Sequence, residues 1–313
     1  MRVLLRRAAL AAGALILWAL AGCATPQTAH LLAEPPAALP ARAEVSGVPF
    51  FAQEEYYCGP AALAMALNWS GLPVTQEAIA AQVYTPGREG TLQSDMVAAA
   101  RRNGRLAVPV SRLEDLTAEL AAGHPVVVFQ NLGFAWFPVW HYAVAIGYDL
   151  DAGDLILHSG LDERRVMPLA TFERTWSRGD HWALLVLPPD RLPVTADQTA
   201  VLRAATGLEQ AGRVQEAAVA YATIAERWPD SLEAWIGLGN AAYAAGDLDA
   251  AEAAFRTATE RHPDAGAAWN NLAHVLGEKG QRAEAIAAAR RAVRLGGPNV
   301  TTYRATLREV SGG

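Results

Sequence analysis

From about residue 198 onward the chain repeats itself every 34 residues, and no other feature restricts its fold as strongly. Gly212, Gly246 and Gly280 recur at that interval, as do Ala217, Ala251 and Ala285; the pairs Trp235/Trp269 and Pro229/Pro263 obey it too. A period of this length implies one two-helix unit per repeat. Such a unit cannot bury its apolar face alone and stacks on its neighbours. The units run over residues 198–231, 232–265 and 266–298, and residues 299–310 follow as a polar helix suited to close the exposed end. The first unit has Val201 where the later ones have Trp, and Gly296-Gly297-Pro298 sets the last proline one position late, so the terminal units are expected to be less regular. The aromatic side chains on this period read as core.

The repeats occupy little more than a third of the 313 residues, so a second domain lies ahead of them. With 52% hydrophobic and 19% charged residues the chain is globular. The net charge of −6 offers no basic face for nucleic acid. Lys279 is the sole lysine, which nearly excludes Schiff-base, pyridoxal-phosphate and phosphate-loop chemistry, and no cofactor is expected. No metal cluster is visible: Asp149, Asp151 and Asp154 share one turn but lack the glycine and distal glutamate of a calcium loop. Two cysteines, Cys23 and Cys58, cannot build a multi-bridge scaffold.

Residues 1–22 read as a secretory signal, with Arg2, Arg6 and Arg7 ahead of an apolar stretch from Ala8 to Leu20 that is short for a permanent span. Leu20-Ala21-Gly22-Cys23 resembles a bacterial lipobox, which makes Cys23 the lipidated first residue of a mature chain of net charge −9 (−6 less the three arginines). Ala24 follows, without the aspartate that such signals associate with inner-membrane retention. The expectation is therefore an outer-membrane lipoprotein facing the periplasm. Residues 23–47, with Pro26, Pro35, Pro36 and Pro40, are expected to form a partly extended tether.

Residues 48–193 show helical signals first, at 59–69, 75–84, 91–103 and 111–122, the last with a Ser111/Glu114 capping box. Strand signals follow at 125–129, 141–148, 155–159, 165–169 and 181–187, with a short helix near 172–176. Helices followed by an antiparallel sheet give an α+β domain. Cys58, in Tyr57-Cys58-Gly59-Pro60, opens the first helix, where the dipole and unpaired amides favour a thiolate. Gln53, five residues upstream, is a carboxamide that could bind an oxyanion beside the sulfur together with the Cys58 amide. Of the four histidines in the domain, His124 precedes a proline in a loop and His158 ends a short strand. His141 opens an alternating strand behind Trp140 and is the favoured base; His181, ahead of Trp182, is the second choice.

Two resemblances follow from these residues. Trp near the start of a unit, Leu238-Gly239 behind it, Tyr221 or Phe255 on the second helix and a closing proline are similar to the tetratricopeptide repeat. That resemblance implies a solenoid whose inner face, here Asn240, Tyr243, Asn270, Asn271 and His274, binds a peptide or protein partner. Val48-Pro49-Phe50-Phe51-Ala52-Gln53, Cys58-Gly59-Pro60 and Trp140-His141-Tyr142-Ala143-Val144-Ala145-Ile146-Gly147-Tyr148 resemble the papain-like cysteine peptidases that process bacteriocin leaders, especially their lipoprotein relatives with C-terminal repeats. The resemblance implies a papain-like α+β domain followed by an all-α solenoid, with Cys58 as nucleophile, His141 as general base and Gln53 as oxyanion donor. The third residue of that family, an Asp before Pro, is missing; the stretch here is Leu157-His158-Ser159-Gly160. A hairpin reversing near residue 151 or 152 would set His141 opposite residues 160–162, so Ser159 and Asp162 are both candidates to orient the imidazole.

The resulting expectation is a membrane-anchored cysteine peptidase acting on a protein or peptide, with the repeats holding substrate or partner. The alternatives are a non-catalytic assembly or binding lipoprotein, and a thiol-dependent acyl transferase using the same groups.

Overall fold

The structure is a computed structural model that describes residues 25–53, 57–85, 87 and 90–312; the signal segment and Cys23 lie outside the described residues. The chain divides into two compact units. One holds the described residues up to Gln93 together with Pro109–Leu185, and the other holds Ser94–Val108 with the described residues from Val186 on. Residues 94–108, part of the stretch 48–193 that the sequence pattern assigns to one domain, group by contacts with the second unit.

In the first unit, helix α1 (Pro26–Ala33) and strand β1 (Arg42–Glu44) come first, followed by α2 (Cys58–Trp69), α3 (Gln76–Val83) and a two-residue ribbon of β2 (Tyr84–Thr85) and β3 (Gly90–Thr91). The main sheet has the order β4-β9-β5-β6-β7-β8, formed by β4 (Leu106–Val110), β5 (Val126–Asn131), β6 (Trp140–Asp149), β7 (Asp154–Ser159), β8 (Asp162–Pro168) and β9 (Ala183–Leu187). Helices α5 (Leu113–Ala121) and α6 (Leu169–Ser177) flank it; α4 (Gln93–Arg102) precedes β4. The long strand β6 organises the unit. Its first half pairs antiparallel with β5, Gln130 opposite His141, and its second half pairs with β1, Ala43 opposite Tyr148. Strand β7 runs along its other edge, with a register shift between Ala145 and Gly147.

Helix α2 is buried from Gly59 to Leu67, as its uninterrupted Ala, Leu and Met composition requires. It ends where Asn68 Nδ2 donates to Ala64 and Val74 carbonyls and Ser70 Oγ to Leu67. Gly59 at its first turn is a packing necessity, because a Cβ there would fall 2.6 Å from the Thr91 side chain.

Two expectations fail here. Residues 26–44 are not an extended tether. Pro26 starts α1, whose Gln27 and Thr28 amides donate to the buried Glu173 carboxylate at 3.0 and 2.7 Å, and β1 adds to the sheet. There is also no Ser111 capping box: α5 starts at Leu113, whose amide donates to Gln27 Oε1 at 2.6 Å, while Glu114 pairs with Arg112.

The second unit shows the period as geometry. Helices α7 (Gln198–Gln210), α9 (Leu232–Ala244) and α11 (Gly266–Glu278) start 34 residues apart, and so do α8 (Val214–Arg227), α10 (Leu248–Arg261) and α12 (Arg282–Leu295). Gly212, Gly246 and Gly280 turn each pair at φ of 75°, 80° and 75°, a region that disfavours any side chain. Tyr221 and Phe255 are buried core, but Trp235 and Trp269 are only half-buried; their indole N–H groups donate to the Pro229 and Pro263 carbonyls at 2.8 and 3.0 Å, tying each repeat to the turn before it. The closing helix α13 (Val300–Ser311) buries Tyr303, Thr306 and Val310. Within this unit α4 joins the stack: Arg101 lies over Gly207, and Arg213 Nε donates to the Arg102 carbonyl at 2.6 Å.

Candidate active site

Cys58 is a free thiol at the first position of α2, and its helix brings it against β6. The backbone amides of Tyr142, Gly59 and Cys58 itself point at the sulfur and favour its ionised form, yet burial outweighs them and raises the thiol pKa. The thiolate expected from the helix N-terminus alone is therefore not the resting state.

His141 is the second residue of β6, next to the Tyr142 amide that faces the sulfur. Its Nε2 lies 2.9 Å from Ser159 Oγ at the buried end of β7. That contact leaves Nδ1 as the nitrogen for a second partner. Burial, helped by the Arg165 guanidinium, lowers the imidazole pKa to about 4. Thiol and imidazole are thus both neutral at neutral pH, which is the state in which one can pass a proton to the other during a reaction.

Gln53 is 8% exposed. Its amide donates to the Gly160 carbonyl at 3.0 Å, and its Oε1 accepts from the Gly160 amide at 3.1 Å. The Nε2 donors are buried and find no partner among the described residues. A buried unpaired carboxamide donor is costly, and its retention points to an acceptor that arrives from outside. Gln53 is thereby clasped to the residue after Ser159, so that Gln53, Ser159 and His141 form one connected structure. Sequence reading missed Gly160 as its centre because the contact spans 107 residues. It also missed Thr91, whose carbonyl accepts from Tyr142 Oη at 3.1 Å and whose side chain packs on Gly59, fixing the sulfur-bearing turn against β6.

The other candidates lie elsewhere. Asp162 is brought near Arg165 at 3.9 Å, with its side chain 64% exposed. His124 is buried against Glu119 at 2.7 Å. His158 is held by the Glu163 and Val48 carbonyls, beside the Phe50 ring. His181 does not open the last strand; it occupies a left-handed turn at φ 51° edge-on to Trp176, and β9 starts at Ala183.

Residues 45–181 match the Peptidase_C39 like family, and residues 208–274 and 266–295 match tetratricopeptide repeat models. Over residues 45–181 the chain resembles a C39-like peptidase domain. Tetratricopeptide repeats follow it at the C-terminus. Among solved structures, a C39-like peptidase from Bacillus anthracis is 20% identical, with 47% of this chain and 97% of that one covered and a TM-score of 0.40. The type III secretion translocator chaperone SycD of Yersinia enterocolitica is 20% identical over 36% of this chain and 81% of its own, with a TM-score of 0.34. No curated protein matches. Gln53, Cys58, His141 and Ser159 all lie inside the matched residues.

Proposed function

We propose that the chain is a cysteine peptidase, anchored through a lipid on Cys23 to a membrane facing the periplasm, that hydrolyses a peptide bond of a polypeptide substrate. Cys58 Sγ attacks the scissile carbonyl as its proton passes to His141 Nδ1. Ser159 holds the imidazole through Nε2, in place of a carboxylate. The developing oxyanion accepts from Gln53 Nε2 and from the Cys58 amide. The imidazolium then returns its proton to the leaving amine, and water, deprotonated by His141, releases the acyl group from sulfur. The single observation that supports this reading best is the buried, unpartnered Gln53 amide fastened to the strand end that orients His141.

The test is a kinetic set. Cys58→Ala, His141→Ala and the double variant should leave equal residual rates, because they act as one unit. Gln53→Ala should lower kcat on the order of 10²–10³-fold, the effect of one oxyanion donor. Near-normal turnover in His141→Ala rejects the assignment.

Two observations favour a second reading, a binding lipoprotein with an idle site: the thiol pKa is raised, and among the described residues the group at His141 Nε2 is the Ser159 hydroxyl rather than a carboxylate. A peptide aldehyde distinguishes the two. It forms a hemithioacetal on Cys58 of a peptidase and none on an idle site.

A further inference from the structure

The hairpin leading into His141 presents Leu132, Phe134, Trp136, Phe137, Val139 and Trp140 between 41% and 81% exposed, with no charged residue from Leu132 to Trp140. This segment is well formed. Phe134 and Phe137 exchange both backbone hydrogen bonds, at 3.0 and 3.1 Å, around a turn of Ala135 and Trp136. Below them the Leu132 amide donates to Val139 at 2.8 Å, and Asn131 Oδ1 accepts from the Gly133 and Val139 amides at 3.0 and 2.9 Å. Arg178 Nη1 donates to the Gly133 carbonyl at 2.6 Å. A Cβ on Gly133 would lie 2.3 Å from the Phe137 carbonyl oxygen, so the close approach of the two arms requires glycine. The Phe134 and Trp136 rings stack at 4.9 Å.

The amides of Leu132, Gly133, Phe134, Phe137 and Val139 are satisfied within the hairpin while its large side chains stay uncovered, a combination that suits a water-poor environment. A groove for an extended peptide would instead offer free backbone donors and acceptors, whereas the two arms of this hairpin use theirs on each other. Trp and Phe on a neutral support favour the boundary between headgroups and acyl chains. The place where the chain enters the fold identifies which surface. The first amides of α1 sit on Glu173 of α6, and Arg178, which caps α6, holds the hairpin. Arg178 stands five positions after Glu173, about 7.5 Å of rise. Only Ala24 and Thr25 stand between Cys23 and α1.

We propose that hairpin 132–140 inserts its tip, Trp136 and Phe137, into the same membrane surface that holds the Cys23 lipid. The inference rests on the anchored reading given above. It places His141, the residue after Trp140, at the membrane face, and makes membrane-proximal polypeptide segments the substrate class.

The test uses the full lipidated chain in vesicles of phosphatidylethanolamine and phosphatidylglycerol, with or without brominated acyl chains, which quench tryptophan at short range. Wild type should be quenched, and Trp136→Ser should lose at least about half of the quenched signal although other tryptophans remain. A mass measurement of the N-terminal peptide reports the lipid on Cys23 independently. Lipid present with wild type and Trp136→Ser quenched equally overturns the hairpin proposal and leaves the anchor standing. Lipid absent with Trp136 still quenched overturns the anchor and supports the hairpin, and absence of both overturns both. A photo-crosslinker at position 137 should label lipid in native membranes; a protein adduct there overturns the proposal in favour of a partner surface.

Discussion

At the scale of single residues, burial decides the electrostatics. His141 titrates at about 4, against about 6.5 in an unfolded chain. Between those values the unfolded state holds a proton that the folded state lacks, so stability is complete above about pH 6.5 and falls as the pH drops towards 4. Chemical denaturation across that range should show a loss of about 3 kcal/mol that His141→Gln abolishes. Cys58 shifts the opposite way, and its alkylation by iodoacetamide should rise with pH beyond the ordinary thiol range near ~8.5. A midpoint below pH 7 would mean a preformed ion pair instead. Gln53, Cys58 and His141 were legible in the sequence because each sits in a local motif. The protonation state was not, since the position of Cys58 at a helix N-terminus argued for a thiolate, whereas the burial that opposes it is a product of tertiary packing.

At the scale of elements, local pattern and distant partners contribute unequally. Repeat helices, with a spacing of 34 and a glycine at each turn, could be placed from sequence alone. Helix α1 could not, because eight residues are marginal in isolation and what holds them is a carboxylate 145 residues away. For the same reason the N-terminus of α5 was misread, its amide being satisfied by Gln27 rather than by Ser111. Glu173→Ala should cost about 1–3 kcal/mol in thermal denaturation and expose residues 26–33 to protease. Unchanged proteolysis of that segment would show that β1 alone secures it.

On the scale of the whole molecule, a cut at residue 197 does not separate the two compact units, because residues 94–108 group with the second. Truncation there should uncover the face of α4 beneath Arg101 and lower the melting temperature of the remaining chain, whereas a point change on the groove should not. Asn240 and Asn271, which hydrogen-bond each other at 3.2 Å, line a groove with Tyr243 and His274. If the repeats recruit substrate, Asn240→Ala with Asn271→Ala should raise KM for a protein substrate several-fold and leave hydrolysis of a short peptide unchanged. Equal kinetics on both substrates would assign the groove to a different partner.

The clasp between α1 and Glu173 also imposes an order in time. Gln27 leaves the ribosome 146 residues before its acceptor, a delay of roughly 7–30 s at ordinary synthesis rates. Leu113, whose amide donates to Gln27, emerges earlier, so for the rest of that interval α1 has one of its two polar partners and lacks the carboxylate that takes its first amides. Only once Glu173 is made can α1 close completely, so the order of synthesis makes this first helix one of the last parts of its unit to be secured.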